Sequence, residues 1–329
     1  MEIPRIKENS IIIGLTGDVM MGRLVDEALS KRDPSYVWGD TLHVLRQTDL
    51  NLINLETTLT LSEEEVPKVF NFKAKPERVE ALTLASVDVA NLANNHILDY
   101  SYEGLIETLS VLDRAGIDHI GAGLNIEEAK KPLIVDILGV KVGIVGCTDN
   151  EPTWKAQEQA PGVHFVEINE KGREDIARQA RKLRDQVDCL ILTIHWGPNM
   201  RERPPEHFRS FARELIEEGV DIFHGHSAHI FQGVEVYGDG VIFYDTGDFV
   251  DDYWVDPVLA NDRSFLFLVE AAKEGIVGIR LIPTVIDNCQ VSFAKGREKK
   301  VAMNRMIQLS KEMNTALIAD EEGLAWKKK

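Results

Sequence analysis

The sequence predicts a layered α/β fold. Short β-branched runs alternate with amphipathic stretches of helical length, and several of those runs end on an acid, an amide or a histidine. The 329 residues are 44% hydrophobic, enough for a sizeable core without disulfide or metal staples.

The strand-like runs are 10–18 (SIIIGLTGD), 49–56, 87–96, 117–123, 187–197 and 220–226. Each is rich in Val, Ile and Leu and is bounded by Gly, Asp or Asn. Between them, apolar residues at three and four spacing predict helices over 24–30, 76–85, 102–115, 175–184 and 205–218, with Gly116 and Gly219 as C-terminal stops. Residues 132–147 and 233–248 read as hairpins turning at Leu138-Gly139 and Gly238-Asp239-Gly240. Two further strand-like runs follow residue 262, then a helix over 300–313 and a charged end. No stretch is rich enough in Pro, Gly or Ser to act as a linker, so one domain over 1–329 is expected.

The net charge of −17 argues against nucleic acid or anionic lipid as partners, and any polyanion needs local metal, Arg or Lys to bind. Cys147, Cys189 and Cys289 are far apart, and two border apolar runs; free thiols in a reducing compartment are expected. The first residues hold no basic segment followed by a long apolar one, and their apolar burst is about half a membrane span. A soluble, cytoplasmic chain without membrane contact is expected, with oligomerisation left open.

Side chains just past parallel strand ends converge on one crevice. Five stretches supply ligand-type groups there: Asp18, Glu56, Asn94-Asn95-His96, His195, and His226 with His229 in HGHSAH. Carboxylate, amide oxygen and imidazole suit Zn, Mn or Fe. Each has an ordinary account as well: Asp18 as a helix cap, Glu56 as a solvated strand end, the asparagines as turn formers, His96 as a cap, His195 as a buried histidine with one hydrogen bond. Their joint occurrence at five strand ends favours a site. The four aspartates of DTGDFVDDY, 245–253, are candidates for the pocket or a third cation contact but read mainly as turn caps, and His224 reads as a packing residue or one that supports the ligands from behind.

The order Asp, Glu, Asn-His, His, His-x-x-His resembles the calcineurin-like metallophosphoesterase superfamily. The stretches GDVMMGR, FNFKAKPE, NLANNHILDYSYEGL, IHWGPNMRERP and VDIFHGHSAHIFQGVEVY are similar to its CapA branch, the poly-γ-glutamate capsule biosynthesis proteins, from about Ile11 to Tyr253. The resemblance implies a four-layer αββα sandwich with one or two divalent ions at the strand ends. It carries Asp18 to one ion, Glu56 to a bridging position, Asn95 and His195 to the second ion, and His226 with His229 to both. His96 would assist the leaving oxygen, with Asp99 as its orienter. Metal-activated water would then attack a phosphate ester or a γ-glutamyl-type amide of an anionic small-molecule or polymer substrate. Lys73, Arg201 and Arg203 are the candidate grips for that anion.

Two departures weaken the match. Met20 stands at the third position of the motif, where the superfamily has the histidine of Asp-x-His, so one ion is expected to be short of a ligand. Gly225-His226-Ser227-Ala228-His229 is one residue longer than Gly-His-x-His and needs a bulge or turn. The alternative is a non-catalytic polymer-binding or assembly component. Capsule-type relatives typically carry an N-terminal membrane anchor; its expected absence here weakens a direct part in capsule export.

Overall fold

The computed structural model describes residues 2–328. Ile11–Val19 is buried at all nine positions and runs through the middle of a ten-stranded sheet. Parallel neighbours are Leu50–Leu55 and, at its end, Asp248–Val250; Arg263–Ala272 runs antiparallel on the other side. Val89–Asn91 and Asp118–Ile120 extend the parallel half, and Gly275–Asp287 the antiparallel half. A second sheet of six strands has the order Val234–Tyr237, Gly240–Phe243, Ile222–His226, Cys189–His195, Val140–Thr148, Leu133–Ile137.

Alternation along the first strand explains the layers. Ile11, Ile13 and Leu15 point into an apolar layer between the sheets, where they meet Ile191, Ile222, Phe243 and Phe267, while Ile12 and Val19 face the opposite side. There they pack with Val25 and Leu29 of helix Arg23–Lys31 and with Leu105, Leu109 and Leu112 of helix Ser101–Ala115. Helices Glu170–Arg184 and Glu206–Glu217 cover the outer face of the second sheet through Ile176, Leu183, Phe211 and Leu215. The result is the expected four-layer αββα sandwich. Helix Gly296–Glu312 adds Ala302, Met303, Met306 and Leu309 to the inter-sheet layer. Among the described residues no helix is long and apolar enough to cross a membrane.

Gly116 and Gly219 adopt φ of +72° and +101°, the stops expected, and the first hairpin turns at Leu138-Gly139, both with positive φ. Four details differ from expectation. Only Val89–Asn91 of the run 87–96 is strand, because the side chain of Asn94 folds back onto Leu55 O and the amide of His96 and ends the extended path. The helix expected over 76–85 opens with a single 3₁₀ turn, Pro76–Arg78, before Val79–Leu84. The second hairpin closes at Gly240–Phe243, and Asp248–Val250 crosses to pair with Ile11–Val19 in the other sheet. The charged end also forms two short strands, Ile318–Ala319 and Leu324–Lys327, which the sequence did not suggest.

Candidate metal centre

Two glycines let the strand ends of both sheets close on one point. A Cβ on Gly17 would lie 1.8 Å from Gly247 O, and one on Gly225 would lie 2.2 Å from Tyr244 O. No side chain fits at either place. The backbone contact Asp18 N to Gly247 O, 2.9 Å, follows, and Asp18 is set in register with Asp248.

Five of the predicted ligand groups gather there. Asp18, His195 and His226 place ligand atoms within 4.8 Å of one another, and so do Asp18, Glu56 and His229. Asp18 is therefore the carboxylate common to both clusters, the place the family resemblance gave to Glu56. Its Oδ1 is 3.6 Å from both His195 Nδ1 and His226 Nδ1, and its Oδ2 is 3.6 Å from His229 Nδ1. Glu56 Oε1 lies 3.8 Å from His195 Nε2 and from His96 Nε2.

Hydrogen bonds fix which histidine nitrogens carry lone pairs. Asn94 Nδ2 donates to Leu55 O and Asn94 Oδ1 accepts from His96 N–H, so its amide orientation is anchored by backbone. Asn94 and Asn91 both donate to Asn54 Oδ1, which turns Asn54 Nδ2 toward Asp18 Oδ1 (2.7 Å) and His195 Nδ1 (3.2 Å). His195 Nδ1 is thus an acceptor. On the other side, Thr16 O can only accept, so His224 Nε2 donates to it at 2.9 Å. Burial holds His224 neutral, its pKa pulled down to about 4. Its Nδ1 accepts from Thr193 Oγ1, which in turn accepts from His226 Nε2–H. His226 Nδ1 then faces His195 Nδ1 at 3.0 Å with its lone pair. His224 takes the packing role expected of it, and it sets its neighbour's tautomer.

Two imidazole lone pairs 3.0 Å apart beside a carboxylate repel each other unless a cation lies between them. Burial also leaves Asp18 Oδ2, Glu56 Oε1, Asn95 Oδ1 and His195 Nε2 without hydrogen-bond partners. This donor set fits a divalent metal ion. Burial pushes His195 and His226 down, keeping both in the neutral form that binds metal. Burial would raise Asp18, but the imidazoles around it, His195 first and then His226 and His229, hold it below the usual carboxylate range. Glu56 is pushed up by burial and by Asp18.

The longer His-x-x-His spacing is absorbed by backbone strain. Ser227 has φ of +116° and His229 +59°, both non-glycine residues in a region costing about 1–3 kcal/mol each. His229 Nδ1 reaches Asp248 Oδ1 at 2.9 Å, so one aspartate of DTGDFVDDY belongs to this centre and is not only a turn cap. Met20 turns away into the helix-side core, where its Sδ accepts from Gly22 N.

His96 and Asp99 form a second unit. His96 Nδ1 lies 2.6 Å from Asp99 Oδ2, and Asp99 is further held by Phe72 N–H and Lys68 Nζ. The His96 ring stacks on Phe72 at 3.9 Å between centroids, and burial lowers its pKa to about 4 against the pull of Asp99.

A cleft of about 860 Å³ opens onto the centre through Asn95, His96 and His229, with Phe70, Tyr253 and Trp254 on its walls. Its cations are Lys68 and Arg23, and the three grips expected from sequence lie elsewhere. Lys73 Nζ is bound to Ser62 O and Glu63 beside a neighbouring pocket. Arg203 is paired with Glu312 and Glu202, and Arg201, next to the cleft-lining Met200, is exposed and is not itself part of the cleft lining. Asn54, Lys68 and Tyr253, whose hydroxyl donates to Glu56 Oε2 at 3.2 Å, are not singled out by the sequence, whereas Asp248 lies in the aspartate-rich stretch read there mainly as turn caps. For Asn54 one signal was present: it lies two residues before Glu56, at the end of the same strand.

The family model described as "Bacterial capsule synthesis protein PGA_cap" matches residues 12–253. A probable polyglutamine synthesis accessory protein of Mycobacterium tuberculosis is 29% identical over 95% of this chain and 95% of its own length. The capsule biosynthesis protein CapA of Bacillus anthracis is 28% identical over 98% of this chain and 77% of its own. Among solved structures, a hypothetical protein from Thermus thermophilus superposes with a TM-score of 0.49 at 12% identity, covering 83% of this chain and 98% of that one. With its motif core inside the matched span and its strand-end cluster assembled, the chain belongs to the bacterial capsule synthesis protein PGA_cap family.

Proposed function

We propose that the chain is a metal-dependent hydrolase acting on an anionic substrate, a phosphate ester or a γ-glutamyl-type amide. One observation carries the reading: two neutral imidazole lone pairs and two carboxylates with unpartnered oxygens converge at the floor of an open cleft. Asp18, His195 and His226 would hold one ion; Asp18, Glu56 and His229, with the unpartnered Asn95 Oδ1 nearby, would hold a second. Divalent ions of the Mn, Zn or Fe type lower the pKa of water and polarise the bond under attack.

The chain's own residues supply the rest. Asp99 accepts the Nδ1–H of His96 and so leaves the Nε2 lone pair facing Glu56, where it can take a proton from the attacking water and return it to the leaving oxygen. Phe72 fixes the ring plane. Lys68 and Arg23 offset the acidic field at the entrance, and Phe70 and Trp254 give the cleft apolar walls. The same reading assigns the chain to the cytoplasm, supported by its three free cysteines.

The competing reading is a polymer-binding accessory component that holds metal without turnover. It draws on the printed names of the relatives and on the absence of a ligand at Met20. Metal analysis coupled to a screen of phosphomonoesters, phosphodiesters and γ-glutamyl peptides with Mn, Zn and Fe separates the two. Bound metal with no turnover under any condition leaves the accessory reading; neither metal nor turnover removes both. His96→Ala sharpens the test: kcat should fall about 10²–10⁴-fold with metal content unchanged.

A further inference from the structure

The segments 199–202 and 254–261 wall the metal cleft on one side and a second cavity, of about 710 Å³, on the other. Four cations line this second cavity, Arg263, Lys295, Arg297 and Arg305, against the acids Glu202 and Glu298. In a chain of net charge −17 that excess is local and opposite in sign to the rest of the surface.

Two of the cations are incompletely satisfied. Arg305 sits 4.9 Å over the Phe231 ring, donates through Nη1 to Leu259 O and approaches Glu202 Oε1 at 3.0 Å, which leaves its buried Nη2 with no hydrogen-bond partner. Arg263 Nε is likewise buried without a hydrogen bond, its nearest acid being Asp262 at 3.9 Å. Arg297 makes no hydrogen bond or ion pair among the described residues. Helix Gly296–Glu312 begins at the same wall, and no side chain caps its first turn. Guanidinium groups with spare donors and an uncapped helix start around one cavity are the chemistry of oxyanion capture.

We propose that this cavity is an anion subsite, which takes a carboxylate or phosphate group of an extended polyanionic ligand while the reacting bond lies in the metal cleft. The shared walls at 199–202 and 254–261 make the two cavities neighbours along one path. The inference rests on the reading that the cleft acts on an anionic substrate.

The test is calorimetric titration of the full chain, loaded with Mn, with γ-linked glutamate dimer and hexamer, and of the metal-free chain with inorganic phosphate. The variant is Lys295→Glu with Arg297→Glu, both side chains exposed and outside the core. The hexamer should bind the wild type about tenfold more tightly than the dimer, and the variant should lose that advantage with dimer affinity and Mn content unchanged. Phosphate binding lost in the variant identifies a general oxyanion site; phosphate binding absent from both chains, with the hexamer effect intact, identifies a carboxylate-polymer subsite. A variant that keeps both the hexamer advantage and phosphate binding overturns the proposal. A length advantage without turnover sinks the hydrolase and leaves the subsite standing; turnover without a length advantage does the reverse.

Discussion

The middle of the sandwich and its rim are built from the same strands under opposite rules. Ile11, Ile13 and Leu15 of the first strand are fully buried among Ile, Val and Phe, and three residues on, the same strand delivers Asp18 to a cluster of equally buried acids and histidines. Likewise Ile191 packs between the sheets while His195 ends its strand at the centre. The apolar segment gains free energy from every side chain removed from water. The rim loses it, because buried carboxylates and neutral imidazoles are desolvated without full hydrogen bonding. A site of this kind therefore depends on a scaffold that is stable for other reasons, and the two regions should respond separately to substitution.

The sharpest separation is expected at Asp18. Asp18→Asn removes the carboxylate common to both clusters, and should lower metal-dependent activity by a factor on the order of 10³ or more while the fold persists. Metal content and circular dichroism measured together check this; metal retained at wild-type stoichiometry would show that Asp18 is not the shared ligand. Phe267→Ala addresses the other region. Phe267 is fully buried and packs edge-on to Phe243 at 5.2 Å, so truncation should cost about 3–5 kcal/mol in urea unfolding with metal affinity unchanged. A parallel loss of metal affinity would mean that rim and core are not independent.

This division also explains what was legible in the sequence. Strand ends carrying Asp18, Glu56, His195 and His226 stand out because each is a polar residue placed after an apolar run, a local pattern. The four layers follow from the same runs. Asn54 and Asp248 are polar residues inside or beside strands, and nothing local separates a site residue from a turn former; only the register of Asp18 with Asn54 and Asp248 does. Lys73, Arg201 and Arg203 misled for a related reason. A basic residue near a motif gives charge but no direction, and in this acidic chain Lys73 and Arg203 are drawn to Glu63 and Glu312. Lys68 reaches the cleft because the carbonyl of Asn95 and the carboxylate of Asp99 hold it there, contacts 27 and 31 residues away in sequence.

A smaller effect tests whether the orienting contacts belong to the rim. Asn54 donates to both Asp18 and His195, and its own oxygen is held by Asn91 and Asn94. Asn54→Ala should weaken metal affinity about 10–100-fold, the usual cost of removing a residue that orients ligands. Competition with a chelator of known affinity measures it. An unchanged affinity would leave Asn54 a packing residue only.

The smallest effect is a pH slope that only the rim can produce. In the metal-free chain burial raises Asp245 to about 8, and Glu56 and Asp248 are pushed up as well, first by burial and then by neighbouring carboxylates. Against an unfolded value of about 3.9 for Asp, these groups keep protons in the fold that the unfolded chain has released. Stability from that source is complete below about pH 4 and is lost as pH rises toward the folded values. His96 and His224, lowered to about 4, act in the opposite sense, but their contribution ends near pH 6.5, where the unfolded histidines have also lost their protons. Between about pH 6.5 and 8 the carboxyls act together with His229, which burial would lower but the charges of Glu56 and Asp18 raise above the usual imidazole range, and which works in the same sense. Metal-free stability should then fall by as much as about 1.4 kcal/mol per pH unit for each carboxyl still protonated. Saturating Mn should flatten or reverse the slope, because a bound cation favours ionised carboxylates. Urea midpoints at about pH 6.5, 7.2 and 8, with and without Mn, provide the measurement. Equal slopes in both series would separate the buried carboxyls from metal binding and assign their cost to the scaffold.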